Sequence, residues 1–392
     1  MTVPPEPSEP TVPPFRVSAA DFAALARGGG GVSAVRTLRR ARRSRTLLMI
    51  RSIAADPAAR PAFSLLCEVA RVAPEAVDRV LDHPSVGAWA TRTALAVRRG
   101  ATARRSTAQP AELAFTAAAA AVRAGVAVDL VFPPVEVFSL PSLGVVVGPG
   151  LAYEPLPEID LGGFSLQVDL WAGGGVPPEL PVAASVDLPW WRDALRSAWD
   201  LLNRDHPASA SEFTEVVSVL TPMPSSPSGT SSATLADAFG CVFLSPMPDA
   251  ETLAVTLVHE AQHSKLVALM DLFALVEPNQ DALFYAPWRE DPRPAAGLLH
   301  GTYAHMGVAG FWRSRPGPAA QVEYARWRSA ALITADTLLT SGRLTPTGTR
   351  FVEEMAEVLR AWCAEPLPPA AVAVAAAEAA AHRARWRSAH GT

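Results

Sequence analysis

The chain has 392 residues, 49% of them hydrophobic and 18% charged, with 34 Lys plus Arg against 38 Asp plus Glu and a net charge of −4. That composition excludes a wholly disordered or fibrous protein, and the near balance of charge gives no electrostatic reason to expect a nucleic-acid partner. Cys67, Cys241 and Cys363 lie far apart with no CxxC spacing, so neither a disulfide framework nor a thiolate zinc site is expected.

Residues 1–18 begin with Pro4, Pro5, Pro7, Pro10, Pro13 and Pro14 alongside Glu6 and Glu9, and read as a disordered lead-in rather than a secretory leader. Residues 19–125 read as a helical N-terminal region rich in Ala and Leu. Within it, Gly28, Gly29, Gly30 and Gly31 precede no Lys-Ser/Thr pair, which excludes a phosphate loop and suggests a flexible joint. The arginine runs Arg36, Arg39, Arg40, Arg42, Arg43, Arg45 and Arg92, Arg98, Arg99, Arg104, Arg105 read as solvated helix faces. Their functional reading is a docking surface for an acidic partner segment. Residues 126–365 are the expected catalytic region, opening with a β-rich patch at 126–172. A helix around 191–203, a Ser/Pro/Gly-rich loop at 221–232 and a short strand at 239–245 follow. An Ala/Arg-rich tail fills 366–392. No uncharged apolar run reaches the roughly 18 residues of a membrane span, so a soluble, cytoplasmic protein without membrane partners is expected.

The clearest helix is expected at 252–275, where Leu253, Leu257, Leu266, Met270 and Phe273 recur at helical spacing on a strongly amphipathic pattern. Inside it stands His259-Glu260-Ala261-Gln262-His263. Residues four apart share one helix face, so both imidazoles reach a single cation. Glu260, about 100° round, can touch a metal-bound water without being a ligand. A metal needs a third ligand, and Leu266 and Leu269 occupy the positions where one metallopeptidase type carries Gly and His. A second helix at 297–313 offers His300 and His305, which are five apart and about 140° round, so only one is expected to face the metal. Glu277, Glu290 and Glu323 are the carboxylate candidates. Between the helices, Pro287, Pro292 and Pro294 stiffen a segment presenting Arg289 and Arg293, either as a fork for a carboxylate or as surface partners of Glu290 or Asp291. Lys265 is expected to leave its ammonium in water, and Cys241 to lie in the core. On the motif alone, the chemistry is that of a zinc peptidase with Glu260 as general base.

Three segments, Leu257-Val-His-Glu-Ala-Gln-His-Ser-Lys-Leu266, Tyr285-Ala-Pro-Trp-Arg-Glu-Asp-Pro-Arg-Pro294 and Leu298-Leu-His-Gly-Thr-Tyr-Ala-His-Met-Gly-Val308, resemble a bacterial family. It comprises the HExxH-motif proteins encoded beside ribosomally made, post-translationally modified peptides. Phe138-Ser-Leu-Pro-Ser-Leu-Gly144 and Asp237-Ala-Phe-Gly240 add to the resemblance, which covers 135–315 specifically and extends towards 360. It implies a non-haem Fe(II), 2-oxoglutarate-dependent peptide β-hydroxylase (a dioxygenase). His259, His263 and His305 are then the metal ligands, with His300 the alternative third. Arg289 or Arg293 holds the distal carboxylate of 2-oxoglutarate, and Glu260 becomes a supporting group. A ribosomally made precursor peptide is the implied substrate, with a peptide-modifying enzyme as a further partner. An all-histidine triad departs from the two-His, one-carboxylate pattern usual for such iron sites. The alternatives are the Zn(2+) peptidase and a non-catalytic module that binds the precursor peptide. The expected architecture is α+β and predominantly helical, with a zincin-like HExxH helix packed beside a second ligand helix and the metal between them. A peptide substrate is expected to pair with an open edge of the 239–245 strand.

Overall fold

Ser18 starts the helical part of the chain: its hydroxyl accepts from Asp21 N at 3.0 Å and caps α1 (Ala19–Ala26). The computed structural model describes residues 15–99, 109–134, 138–148, 151–171, 180–226, 229–278 and 281–391. Five more helices follow α1: α2 (Gly31–Ile53), α3 (Arg60–Val72), α4 (Pro74–Leu81), α5 (Pro84–Arg99) and α6 (Leu113–Ala124). The long α2 belongs to two cores. Ala34, Val35 and Leu38 join the main core, whereas Ile50 and Ile53 join a helical core built with α3 to α6.

The arginine run on α2 does not form one solvated face. Arg42 is buried, pairs with Asp271 and donates to Ala236 O at 2.7 Å; Arg39 and Arg43 pair with Asp82, and Arg36 with Glu215. Because α2 lies between other elements, acidic partners meet it from several sides. Arg104 and Arg105 lie outside the described residues.

The β structure is mixed. A three-stranded antiparallel sheet orders β1 (Phe138–Leu140), β2 (Val145–Gly148) and β3 (Leu151–Pro155) in sequence. A five-stranded sheet contains β4 (Glu158–Asp160), β5 (Ser165–Val168), β6 (Val219–Pro222), β7 (Ser232–Ala233) and β8 (Cys241–Leu244), in the order β4-β5-β6-β8-β7. Strands β5, β6 and β8 are parallel, and β4 and β7 run antiparallel at the edges. All residues of β6 and β8 are buried, which is why 239–245 reads as a continuous apolar run. Cys241 is in the core as expected, and burial pushes its thiol up to about 12. The start of the expected β patch is different. Residues 126–132 make no strand, and Phe132 stacks on Phe115 of α6. Residues 135–137 lie outside the described residues.

Strand β8 is not open for peptide addition. It pairs with β6 on one side and β7 on the other, so the expectation of an available edge there fails. Thr221 and Pro222 of the expected loop belong to β6, and β7 begins at its last residue, Ser232, and covers that edge at Phe243 and Leu244.

Helices α7 (Leu188–Asp205) and α8 (Pro207–Val216) connect β5 to β6, and α9 (Ala250–Met270) follows β8. Asp249 caps α9, accepting from Thr252 N at 2.7 Å. The helix ends before the expected 275, where Asp271 pairs with Arg42 and Arg45 and the chain turns. Nor is α9 amphipathic: α2, α7, α8 and α10 pack around it, so its polar side chains are buried along with its leucines. Leu253, Leu257, Leu266 and Leu269 are essentially fully buried, each contributing about 1.5–3 kcal/mol. A two-stranded ribbon, β9 (Leu283–Phe284) with β10 (Arg293–Pro294), leads to α10 (Ala295–Ser314), which packs along α9. Helices α11 (Pro318–Thr340), α12 (Pro346–Ala364) and α13 (Pro369–His390) complete a mostly helical α+β fold with a small mixed sheet. Among the described residues no helix is long and apolar enough to cross a membrane.

Candidate functional site: a histidine cluster between two helices

Four histidines gather where α9 crosses α10. Their placement follows from the four-residue spacing on α9, which stacks His259 and His263 on one face. Their rings are 4.6 Å apart and their Nε2 atoms 3.0 Å apart. From α10, the His305 ring lies 5.0 Å from that of His259, and the His300 ring 5.8 Å from that of His263. Both α10 histidines therefore lie beside the motif pair. Their 140° separation straddles the pair, so each approaches a different motif histidine.

His305 is the most tightly held. Its ring stacks on Trp288 at 4.3 Å and 15°, and Trp327 covers it at 4.6 Å. Its Nδ1–H donates to Gly301 O at 2.8 Å, because a carbonyl oxygen only accepts. That bond fixes the tautomer and leaves Nε2 with its lone pair. Trp288 fits here because residue 301 is glycine: a Cβ at that position would stand 2.4 Å from the indole.

Burial keeps the four imidazoles uncharged. Desolvation lowers His259 despite the opposing charge of Glu260, and it lowers His263 far below its ordinary value, helped by the neighbouring histidines. His300 is lowered to about 4 by burial, and His305 to about 3 by burial and by His259. Neutral imidazole is the form that ligates a metal.

Glu260 is buried and doubly capped. Ser232 Oγ donates to one carboxylate oxygen at 2.6 Å, and Thr234 Oγ1 donates to the other at 2.5 Å. Neither hydroxyl stands out in the sequence, because both come from the loop and strand at 231–234, far from the motif. The polar composition of that stretch was the available signal. Trp288 and Trp327 were likewise not assigned a role by the sequence reading.

The other face of α9 carries a second polar arrangement. Lys265 is 2% exposed and does not reach water as expected. Its Nζ donates to Glu212 Oε2 at 2.5 Å, Gly28 O at 3.0 Å and Gly29 O at 3.1 Å. Glu212 Oε1 accepts from Gly31 N at 2.8 Å, and Gln262 Nε2 donates to Gly28 O at 2.9 Å. The glycine run is thus a built turn rather than a flexible joint. Gly28, Gly30 and Gly31 adopt φ of 87°, 119° and 68°, which glycine accepts without strain, and the turn aims its carbonyls at the ammonium.

Among the described residues, Arg289 and Arg293 both take Asp291 rather than a histidine as side-chain partner. Both grip Asp291, at 2.7 Å and 3.1 Å, and Arg289 is half exposed. Of the carboxylate candidates, Glu290 lies near His382 and Arg385, and Glu323 accepts from Trp327 Nε1 at 2.8 Å.

Among the described residues, no three His, Cys, Asp or Glu side chains stand together as a ready metal-binding group. The donor chemistry nevertheless suits a divalent transition metal. Two nitrogens bound at about 2.1 Å and at about a right angle lie about 3.0 Å apart, which matches the His259–His263 separation. The same distance serves an N–H···N hydrogen bond between two neutral rings. A third nitrogen requires His305 or His300 to shift towards the pair. No family model and no curated protein matches the sequence.

Proposed function

We propose that the chain is a non-haem Fe(II), 2-oxoglutarate-dependent hydroxylase acting on a side-chain β-carbon of a ribosomally made precursor peptide. The zincin-like relation of the HExxH helix to a second ligand helix belongs to this proposal. His259 and His263 would hold the metal, with His305 as third ligand and His300 as its alternative. Bound iron would supply the open coordination positions at which 2-oxoglutarate and dioxygen react.

The observation that carries this reading over a hydrolase is the state of Glu260. A general base must reach a metal-bound water, yet the Glu260 carboxylate is buried and is turned to the 231–234 stretch, where Ser232 and Thr234 hold one oxygen each. Glu260 instead offsets part of the desolvation of His259. The remaining work belongs to the surrounding residues. Gly301 O sets the His305 tautomer, and Trp288 with Trp327 orients that ring and excludes water from it. Arg289 or Arg293 would serve 2-oxoglutarate by exchanging Asp291 for the acid's distal carboxylate. That exchange is inexpensive, since an exposed ion pair contributes only about 0–1 kcal/mol.

The test is metal analysis joined to a turnover assay. Iron retention with succinate formed from 2-oxoglutarate, and a mass gain of one oxygen on a peptide, is the expected result; both His259→Ala and His263→Ala abolish it. Retention of zinc with peptide fragments would replace this reading by the peptidase. Peptide binding with neither chemistry would leave a binding module.

A further inference from the structure

Trp327 meets the His305 ring and also lines a cavity. Between α11 and α13 lies a space of about 590 Å³, within the range of ligand pockets, roughly 300–1,000 Å³. Trp327 and Tyr285 form part of its wall, so one wall residue is in contact with the histidine cluster. Arg326, Arg328, Arg383 and Arg385 line it, against one lining carboxylate, Glu378. Glu323 and Glu290 pair with Arg326 and Arg385 from outside, and guanidiniums still outnumber carboxylates when both are included. The remaining surface is largely apolar, supplied by α13 alanines, Val372 and Ile333.

Arg328 is 5% exposed and directs Nη1 to the carbonyls of Trp362 and Glu365, so it anchors the wall, and the guanidiniums open to an occupant are those of Arg326, Arg383 and Arg385. The position of α13 also points to an occupant: it buries only Ala371 and Ala375, so core packing explains little of its place beside the cavity. It is held beside the site through Tyr285: His382 Nδ1 lies 2.8 Å from the phenol oxygen, Arg383 sits over the ring at 4.8 Å, and Trp386 meets it edge-on at 5.2 Å.

We propose that this cavity binds an acidic, partly apolar segment of the peptide substrate and so presents a neighbouring side chain to the histidine cluster. Its meaning rests on the hydroxylase reading, but binding can be measured without turnover. A fluorescein-labelled peptide of mixed Glu and Leu residues, and a counterpart with Lys in place of Glu, are titrated with full-length, chelator-treated protein and followed by anisotropy. The acidic peptide binds and the basic one does not. Arg385→Gln and Ala379→Trp, both at exposed positions, each weaken binding about tenfold or more, with unchanged melting temperature. Equal binding of the two peptides, or acidic-peptide binding untouched by both variants, overturns the proposal. Charge-selective binding without succinate formation supports this site and overturns the hydroxylase reading alone. Succinate formation without charge-selective binding overturns this site alone.

Discussion

On one face of α9, Lys265 directs its ammonium at Glu212, Gly28 and Gly29; on the other, His259 and His263 meet each other and two more histidines. The two faces are built from the same helix, Lys265 buried on one and His259 and His263 half-buried on the other, yet their chemistry is opposite. The Lys265 face brings together a cation, an anion and a turn whose carbonyls accept from the ammonium. The histidine face collects neutral bases, and on His305 the only lone-pair nitrogen is left uncommitted by the bond to Gly301. The first arrangement holds a helix in place. Under the proposed hydroxylase reading, the second would hold the metal.

The largest expected effect comes from breaking the Lys265 face. Glu212→Leu leaves an ammonium buried without its counterion and should cost about 3–5 kcal/mol in urea unfolding. The double variant Glu212→Leu with Lys265→Met removes both charges and should recover most of that loss. His259→Ala in metal-free protein should cost far less than Glu212→Leu. Similar losses for the two single variants would remove the distinction between the faces.

A smaller effect is expected from acid, and it reports on the histidine face. Burial places His300 at about 4 and His305 at about 3, against about 6.5 in the unfolded chain. Below about pH 6.5 the unfolded state takes up protons that the folded state refuses, so unfolding becomes easier as pH falls. In metal-free protein the full stability is therefore present above about pH 6.5. It is lost progressively towards about 4 for His300 and about 3 for His305. Thermal melts across that range should show the decline, and His305→Gln should flatten its lower part. An unchanged profile in that variant would mean that His305 is not held neutral by burial.

The motif helix and its partner were legible because their signals are local. A four-residue spacing fixes which histidines share a face, and a proline-free apolar run fixes the helix. The mistakes arose where the answer depends on distant chain. Helical geometry correctly turns Lys265 about 200° from His263, but it does not say that Glu212 and the glycine turn will cover that side. It gives the angle between His300 and His305 without showing that α10 crosses α9 so that both reach the pair. Ser232 and Thr234 reach Glu260 only because β7 pairs with β8, and that same pairing closes the edge expected to receive peptide.

The smallest stability effect concerns Asp291, yet it decides the assignment of the cosubstrate grip. Both Arg289 and Arg293 are engaged by this one carboxylate at the surface, so Asp291→Asn should change stability by only about 0–1 kcal/mol. The arginines also hold Asp291 below the usual carboxylate range, and it remains charged at neutral pH as their competitor for any incoming anion. If one of them grips the distal carboxylate of 2-oxoglutarate, removing that competitor should tighten binding several-fold, read by calorimetry on iron-loaded protein. Arg289→Leu or Arg293→Leu should then weaken binding while leaving iron content unchanged, and the more affected variant identifies the grip. A dependence on 2-oxoglutarate that is the same in all three variants would assign the carboxylate to another cation.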